Sequence, residues 1–106
     1  MRGLSYVISK KAVSNLEEIW LYPAEKSSLE RADRYYHLII DEINYISKHP
    51  FAGKSMEHVR KGYSVSKVKS YLIFYRVLPA KIEVIRILHE KIDIESRLNH
   101  LATTNF

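Results

Sequence analysis

The fold is decided by the stretch SYLIFYRV at residues 70–77, followed by LPAK at residues 78–81 and IEVIRILHEKID at residues 82–93. Both apolar runs are dense in β-branched and aromatic residues, and a break that contains proline separates them. This pattern predicts two antiparallel strands joined as a hairpin. Neither run alternates cleanly between apolar and polar residues, so we expect both faces of the hairpin to be covered.

Two arginines interrupt the hairpin, and the expected register positions them. That register contains the pairs Leu78–Ile82, Arg76–Val84 and Phe74–Arg86, which puts both guanidinium groups on one sheet face. An arginine buried without a partner is costly, so each guanidinium should meet an anionic group or water. A salt bridge within the chain, to Glu83 or Asp93, and an external partner both remain open.

A strand and a helix are predicted at the start of the chain. Residues 4–8 alternate as a short strand, one face of which holds Leu4, Tyr6 and Ile8. Ser9 stands where a helix N-cap is expected. The apolar stripe of the helix is Val13, Leu16, Ile19 and Trp20. Pro23 should end or kink this helix near Tyr22.

A second, longer helix is predicted next. Ser27 and Glu30 match a capping box at its start, and His49-Pro50 stops it. Its apolar stripe is Ala32, Tyr35, Tyr36, Ile39, Ile40, Ile43 and Ile46. Residues 54–61 are polar and basic without a clear period, which indicates a loop. Residues 63–68 then predict a strand that precedes the hairpin.

These elements predict a single α+β domain over residues 1–106. Its order is an N-terminal strand, a helical hairpin and a three-stranded antiparallel meander, with the helices on one face of the sheet. The first strand should return to an edge of the sheet, beside the last strand. Weak helical character follows Asp93.

Composition excludes several kinds of chemistry. The chain has no cysteine, so disulfides, thiol nucleophiles and cysteine zinc sites are impossible. Its five histidines lack ligand spacing and its three glycines build no phosphate-binding loop, so we expect no metal and no cofactor. No apolar run approaches the roughly 18 residues of a membrane span, and no signal peptide is visible. We therefore expect a cytoplasmic protein.

The net charge of +5, from 17 basic and 12 acidic residues, favours an anionic partner. Nucleic acid and an acidic protein both fit such a charge. Basic residues concentrate at Lys54, Arg60, Lys61, Lys67 and Lys69. The lysines alone are typical of a solvated rim, whereas the planar guanidinium of an arginine suits bidentate binding of carboxylate or phosphate.

His89 ends the last predicted strand, on the face opposite Arg86. An imidazole there could act as an acid or base in RNA cleavage, because its ordinary pKa lies near neutrality. The alternative is a histidine that caps the strand by hydrogen bonding inside the fold. Both interpretations stay open on the residues alone.

Several segments, taken together in their order along the chain, resemble the ParE family of toxins from bacterial toxin–antitoxin modules. This family is part of the wider RelE/ParE superfamily. They are ADRYYHLIIDEINYISKHPFAG at residues 32–53, VRKGY at 59–63 and the two runs of the hairpin. The resemblance extends from about residue 4 to residue 98. The positions that match the family pattern are Pro50, Gly53, Arg60, Gly62, Tyr75, Arg76, Arg86, His89 and Asp93. Pro23 departs from it.

The resemblance implies a toxin that poisons DNA gyrase without catalysis or a cofactor of its own. It also implies a cognate antitoxin that binds the toxin as a hetero-oligomer and represses the operon, so sequence-specific DNA binding by this chain is not expected. An amphipathic helix and extended chain of the antitoxin would cover apolar grooves. The residues expected to contact target or antitoxin are Arg60, Lys61, Tyr63, Arg76, Arg86, His89 and Asp93.

Two alternatives remain. The related RelE branch cuts messenger RNA on the ribosome, and its catalytic group here would be Arg60, Arg76, Arg86 and His89. That branch often carries a tyrosine near the C-terminus, whereas this chain has none after Tyr75. The third hypothesis is a toxin-like binding module that has lost toxicity.

Overall fold

The computed structural model of this chain describes residues 4–21 and 29–90. Its elements are β1 (Ser5–Ile8), α1 (Lys10–Leu21), α2 (Leu29–Lys48), β2 (Lys54–Ser55), β3 (Tyr63–Val68), β4 (Tyr71–Val77) and β5 (Lys81–His89). This order confirms the predicted α+β fold, with β2 as an addition. The predicted features at Tyr22, Pro23, Ser27 and Asp93 and the helical character after Asp93 lie outside the described residues.

The five strands form one sheet in the order β1-β5-β4-β3-β2. β1 runs parallel to β5, and the other neighbours are antiparallel. The predicted position of the first strand beside the last is therefore confirmed. The prediction that residues 54–61 are entirely loop is wrong at its start, because Lys54 pairs with Val65 and Ser55 with Ser64.

The predicted register of the hairpin is wrong near its turn. The backbone N–H of Leu78 donates to the carbonyl of Lys81 at 2.7 Å, which closes a tighter turn than expected. Arg76 consequently lies opposite Glu83 instead of Val84. A bulge in β5 then adds one residue, which restores the predicted pairing of Phe74 with Arg86.

The core lies between the sheet and the two helices. Its buried members are Ala12, Leu16, Ile19, Ile39, Ile43, Ile46, Tyr71, Ile73, Tyr75, Ile82, Val84 and Ile87. Phe74 and Leu88, which alternate with core residues along their strands, are also only 3% and 2% exposed. Residues on both faces of the central hairpin are therefore buried, as its continuous apolar runs predicted.

Ser9 and α1 supply hydrogen-bond partners to the edge of β5 beyond the end of β1. β1 pairs with β5 as far as Val84. Beyond that point the Ser9 N–H donates to the Val84 carbonyl at 2.9 Å, and the Ser9 hydroxyl donates to the Ile85 carbonyl at 2.7 Å. The Ile87 N–H donates to Asn15 Oδ1 at 3.0 Å. These bonds satisfy backbone groups that a short edge strand leaves open.

The Ser9 side chain also caps α1, as its position in the sequence predicted. Its hydroxyl oxygen accepts the Ala12 N–H at 3.0 Å, the contact of an N-cap with the third residue of the helix. One hydroxyl thus joins the start of the helix to the strand beside it.

Replacement of Asn15 by leucine should destabilise the protein by about 1–3 kcal/mol, because the Ile87 N–H would lose its acceptor inside the fold. Urea denaturation followed by circular dichroism measures the free energy of unfolding. Asn15→Asp is the matched control, since a carboxylate keeps the acceptor for both Ile87 and Arg86. Equal stability of the leucine and aspartate variants would contradict this role.

Candidate functional site

Four of the predicted site residues lie together at the turn end of the sheet. The Arg60 guanidinium carbon lies 5.5 Å from the centroid of the Tyr63 ring. Tyr63 pairs with Arg76 across neighbouring strands. Arg76 in turn donates to Glu83 through Nε at 2.7 Å, which makes Glu83 the acidic partner that the sequence left open. Lys61 is exposed in the loop beside them.

The other predicted site residues are separated from this group. Arg86 donates through Nε to Asn15 Oδ1 at 3.1 Å. His89 is 4% exposed, and its ring meets the Tyr71 ring edge-on at a centroid distance of 5.2 Å. His89 pairs with Tyr71, whereas Arg76 pairs with Glu83. His89 and Glu83 are six residues apart on β5, which corresponds to roughly 20 Å. Asp93 lies outside the described residues.

A buried tyrosine anchors the loop that carries Arg60 and Lys61. The Tyr75 hydroxyl donates to the Pro50 carbonyl at 2.9 Å and accepts the Gly53 N–H at 3.1 Å. Tyr75 itself is 0% exposed. The loop that leaves α2 is therefore fixed to the sheet at its first residues, and the cations beyond it occupy defined positions.

The environment of the Tyr75 phenol keeps it protonated. Burial raises the pKa of Tyr75, and the carboxylate of Glu42 raises it further. Hydrogen bonds with the Gly53 backbone and the Ser64 side chain lower the pKa, but the net shift is upward. Glu42 also accepts a hydrogen bond from the buried Ser66 hydroxyl. A protonated phenol can donate to Pro50 throughout the neutral pH range.

An apolar cavity of about 480 Å³ opens between the two helices. We call it the helix groove; its lining residues are Ile8, Val13, Leu16, Glu17, Trp20, Asp33, Tyr36, His37 and Ile40. Val13 and Trp20, which belong to the predicted apolar stripe of α1, are 41% and 42% exposed. Large apolar side chains in a concave site are typical of a binding surface.

The charged groups of the helix groove are mainly acidic. Glu17 comes from α1 and Asp33 from α2. His37 contacts Asp33 twice, through the backbone carbonyl at 2.8 Å and the carboxylate at 3.5 Å. The groove thus combines an apolar lining with two carboxylates.

Residues 4–21 and 29–90 contain neither a cluster of metal ligands nor a membrane-spanning helix. No group of three or more histidine, cysteine, aspartate or glutamate side chains in those ranges could hold a metal ion. Neither α1 nor α2 has the length and apolar character that a membrane-spanning helix requires.

The family resemblance implied apolar grooves, but sequence reasoning did not locate the helix groove, although a signal was present. The apolar stripe of α1 is broad, since Val13 and Trp20 extend it beyond Ala12, Leu16 and Ile19. A stripe wider than its partner elements can cover leaves residues for another surface. The roles of Asn15 and of the Tyr75 hydroxyl had no comparable signal.

Comparison with known proteins agrees with this architecture. In a structure of the chromosomal ParDE TA system from P. aeruginosa, one chain superposes with a TM-score of 0.70 at 17% identity, over 81% of this chain and 95% of that chain. This likeness shows that the two chains share one fold.

Sequence comparison gives the family. The model of the ParE toxin of the type II toxin–antitoxin system parDE matches residues 6–94. Toxin ParE1 of Caulobacter vibrioides is 32% identical over 93 residues, 88% of this chain and 96% of that protein. Toxin ParE1 of Mycobacterium tuberculosis is 30% identical over 94 residues, with the same coverage. The chain therefore belongs to the ParE family of toxins of type II toxin–antitoxin systems.

Gly53→Ala should destabilise the toxin by about 2 kcal/mol, because the added Cβ would lie 2.3 Å from the Tyr75 hydroxyl and 2.9 Å from the Val65 carbonyl oxygen. Gly62→Ala is the control: it also adds a methyl group, at a φ of +80° but with no atom within 4 Å. Its cost should be only the backbone strain of about 1 kcal/mol. Urea denaturation compares the two variants.

A double-mutant cycle isolates the contact itself. Tyr75→Phe should cost about 1–3 kcal/mol, since it removes the hydrogen-bond partner of Pro50 and Gly53. In the Gly53→Ala/Tyr75→Phe double variant the clash with the hydroxyl is gone, so the total cost should be below the sum of the single costs. Strict additivity would contradict the direct contact.

Proposed function

We propose that this toxin is neutralised by a cognate antitoxin, an amphipathic segment of which occupies the helix groove. We also propose that the unbound toxin poisons DNA gyrase in the cytoplasm without catalysing a reaction itself. The exposed pair Val13 and Trp20 at the groove carries the first part of the proposal. Membership of the ParE family supports the second part.

The chemistry of the helix groove indicates what kind of segment fits it. Helix-in-groove recognition inserts apolar side chains at helical spacing into a cleft between packed elements. Val13, Trp20 and Ile40 offer such a surface, contributed by both helices. Glu17 and Asp33 would pair with basic residues that flank the apolar face of the partner. An amphipathic helix with basic flanks is the occupant that satisfies both features.

The geometry of the predicted catalytic residues supports a toxin without its own catalysis. General acid–base chemistry requires groups within hydrogen-bond reach of one reacting centre. Arg76 and His89 are instead separated by roughly 20 Å along the hairpin. His89 is buried against Tyr71, which disfavours the alternative of a ribonuclease that uses it as an acid or base.

We propose that the target is contacted by the group that lies at the turn end of the sheet. Arg60, Lys61, Tyr63 and Arg76 lie together there and offer cations around an aromatic ring. Arg86 and His89 have a structural role in this proposal, because one bonds to Asn15 and the other packs on Tyr71.

Val13→Lys should weaken antitoxin binding on the order of 100-fold, because the new ammonium group would replace an apolar contact and would compete for Glu17 with the basic flank of the partner. Ser14→Lys is the matched control, since it adds the same charge at the next position, which is exposed and does not line the groove. Isothermal titration with the purified antitoxin measures both dissociation constants. Equal affinities for the two variants would exclude the groove as the site.

Purified toxin at micromolar concentration should convert supercoiled plasmid into linear DNA when gyrase and ATP are present. Lys61→Glu should raise the toxin concentration required by about tenfold, because it reverses a charge at the proposed contact. Lys11→Glu, an equal change on α1, should have no effect. Absence of linear DNA with the wild-type toxin, or breakdown of messenger RNA in cells that still contain active gyrase, would contradict the proposal.

A further inference from the structure

The net charge of the toxin is confined to one part of the chain. Residues 48–69, which we call the basic segment, contain six lysine or arginine side chains and one acidic residue, a net charge of +5. This equals the net charge of all 106 residues, so the rest of the chain holds eleven residues of each sign. Such concentration creates a local positive potential that a uniform distribution would not create.

The basic segment is held in one conformation by hydrogen bonds. Beyond the anchor at Tyr75, the Gly62 N–H donates to Glu57 Oε1 at 2.9 Å, and the Met56 N–H donates to the Tyr63 carbonyl at 2.7 Å. The pairing of Lys54 with Val65 joins the loop to the sheet. The only acid of the segment therefore closes its loop instead of neutralising a lysine.

Three lysines of the basic segment are available to an external anion. Lys54, Lys61 and Lys69 are exposed, and none forms an ion pair with any residue in the described part of the chain. Lys67 differs, because its ammonium group pairs with Glu90 at 3.0 Å. A carboxylate therefore neutralises Lys67, whereas no described carboxylate neutralises Lys54, Lys61 or Lys69.

Aromatic rings accompany these cations. Phe51 is 84% exposed, the largest value among the exposed large hydrophobic side chains of the described residues. Phe51 and Tyr63 border one cavity of about 290 Å³, which Ser55, Ser64 and Glu57, the acceptor of the Gly62 N–H, also line. Its volume lies just below the roughly 300–1,000 Å³ of small-molecule sites, which suits a single flat ring system.

We propose that the basic segment binds single-stranded nucleic acid independently of sequence, with phosphates at Lys54 and Lys61 and a base stacked on Phe51 at the cavity. Cations beside aromatic rings are the arrangement that single-strand binding uses, because every base has a face that can stack. An acidic peptide would use the lysines alone, whereas this surface also offers an exposed ring beside a ring-sized cavity. The proposal shares Lys61 with the proposed gyrase contact but requires neither gyrase nor antitoxin.

Fluorescence anisotropy with the full-length toxin and no other protein tests the proposal. The probes are labelled 12-nucleotide strands of oligothymidylate and oligouridylate, a duplex of equal length and a polyglutamate peptide. Either single strand should bind with a dissociation constant on the order of 1–100 µM in 50 mM salt. The tighter strand identifies DNA or RNA as the source. Preference for the duplex or for polyglutamate would overturn the proposal.

Variants separate the two kinds of contact. Lys54→Gln/Lys61→Gln should lower the slope of log K against log salt by about 1.4, the value for two phosphate contacts on a single strand. Lys10→Gln/Lys11→Gln removes the same charge from exposed positions of α1 and should leave more of the slope intact. Equal effects of the two pairs would show that only net charge matters and would overturn the assigned site.

The aromatic contact has its own test. Phe51→Leu should weaken single-strand binding about tenfold, whereas Phe51→Trp should retain it, because stacking requires a ring and not merely an apolar side chain. Because Phe51 is exposed, both variants should fold as the wild type does, and circular dichroism checks this. Equal affinity of the leucine variant and the wild type would overturn the role of Phe51.

Discussion

The open backbone edge of β5 is the constraint on which the arrangement of this toxin depends. β5 has nine residues and its parallel neighbour β1 has only four, so half of that edge needs another partner. Ser9 and Asn15 supply it from α1. Since α1 also forms one wall of the helix groove, a hydrogen-bonding requirement of the sheet determines where the groove lies.

The position of the basic segment also depends on a polar group inside the fold. The Tyr75 side chain is buried among apolar neighbours, yet its hydroxyl holds the start of the loop that follows α2. The cations of that loop then keep fixed positions relative to the sheet. In both cases a polar group inside the fold positions side chains on its surface, which explains how a small domain can present two different surfaces.

The sequence predicts the parts of this fold that local patterns control. The element order, the Ser9 cap and the central hairpin follow from periodicity, capping and turn residues over a few positions. The register near the turn was wrong by one residue, because turn length and the bulge in β5 depend on packing. Val13 and Trp20 were grouped with Leu16 and Ile19 in one apolar stripe, because periodicity identifies apolar residues but not what covers them. The partners of Tyr75 and Asn15 are 22 to 72 residues distant in the chain and leave no local signal.

The two surfaces lie toward opposite ends of α2. Asp33 of the helix groove and Lys48 of the basic segment are fifteen residues apart on this helix, which corresponds to about 22 Å. The positive charge of the toxin is consequently concentrated toward one end of α2, and an external field orients the molecule before any contact forms. A polyanion draws the basic segment toward itself, while a cationic segment meets less repulsion at the helix groove. Macromolecules of opposite sign therefore approach along different directions and do not compete for the same encounter path.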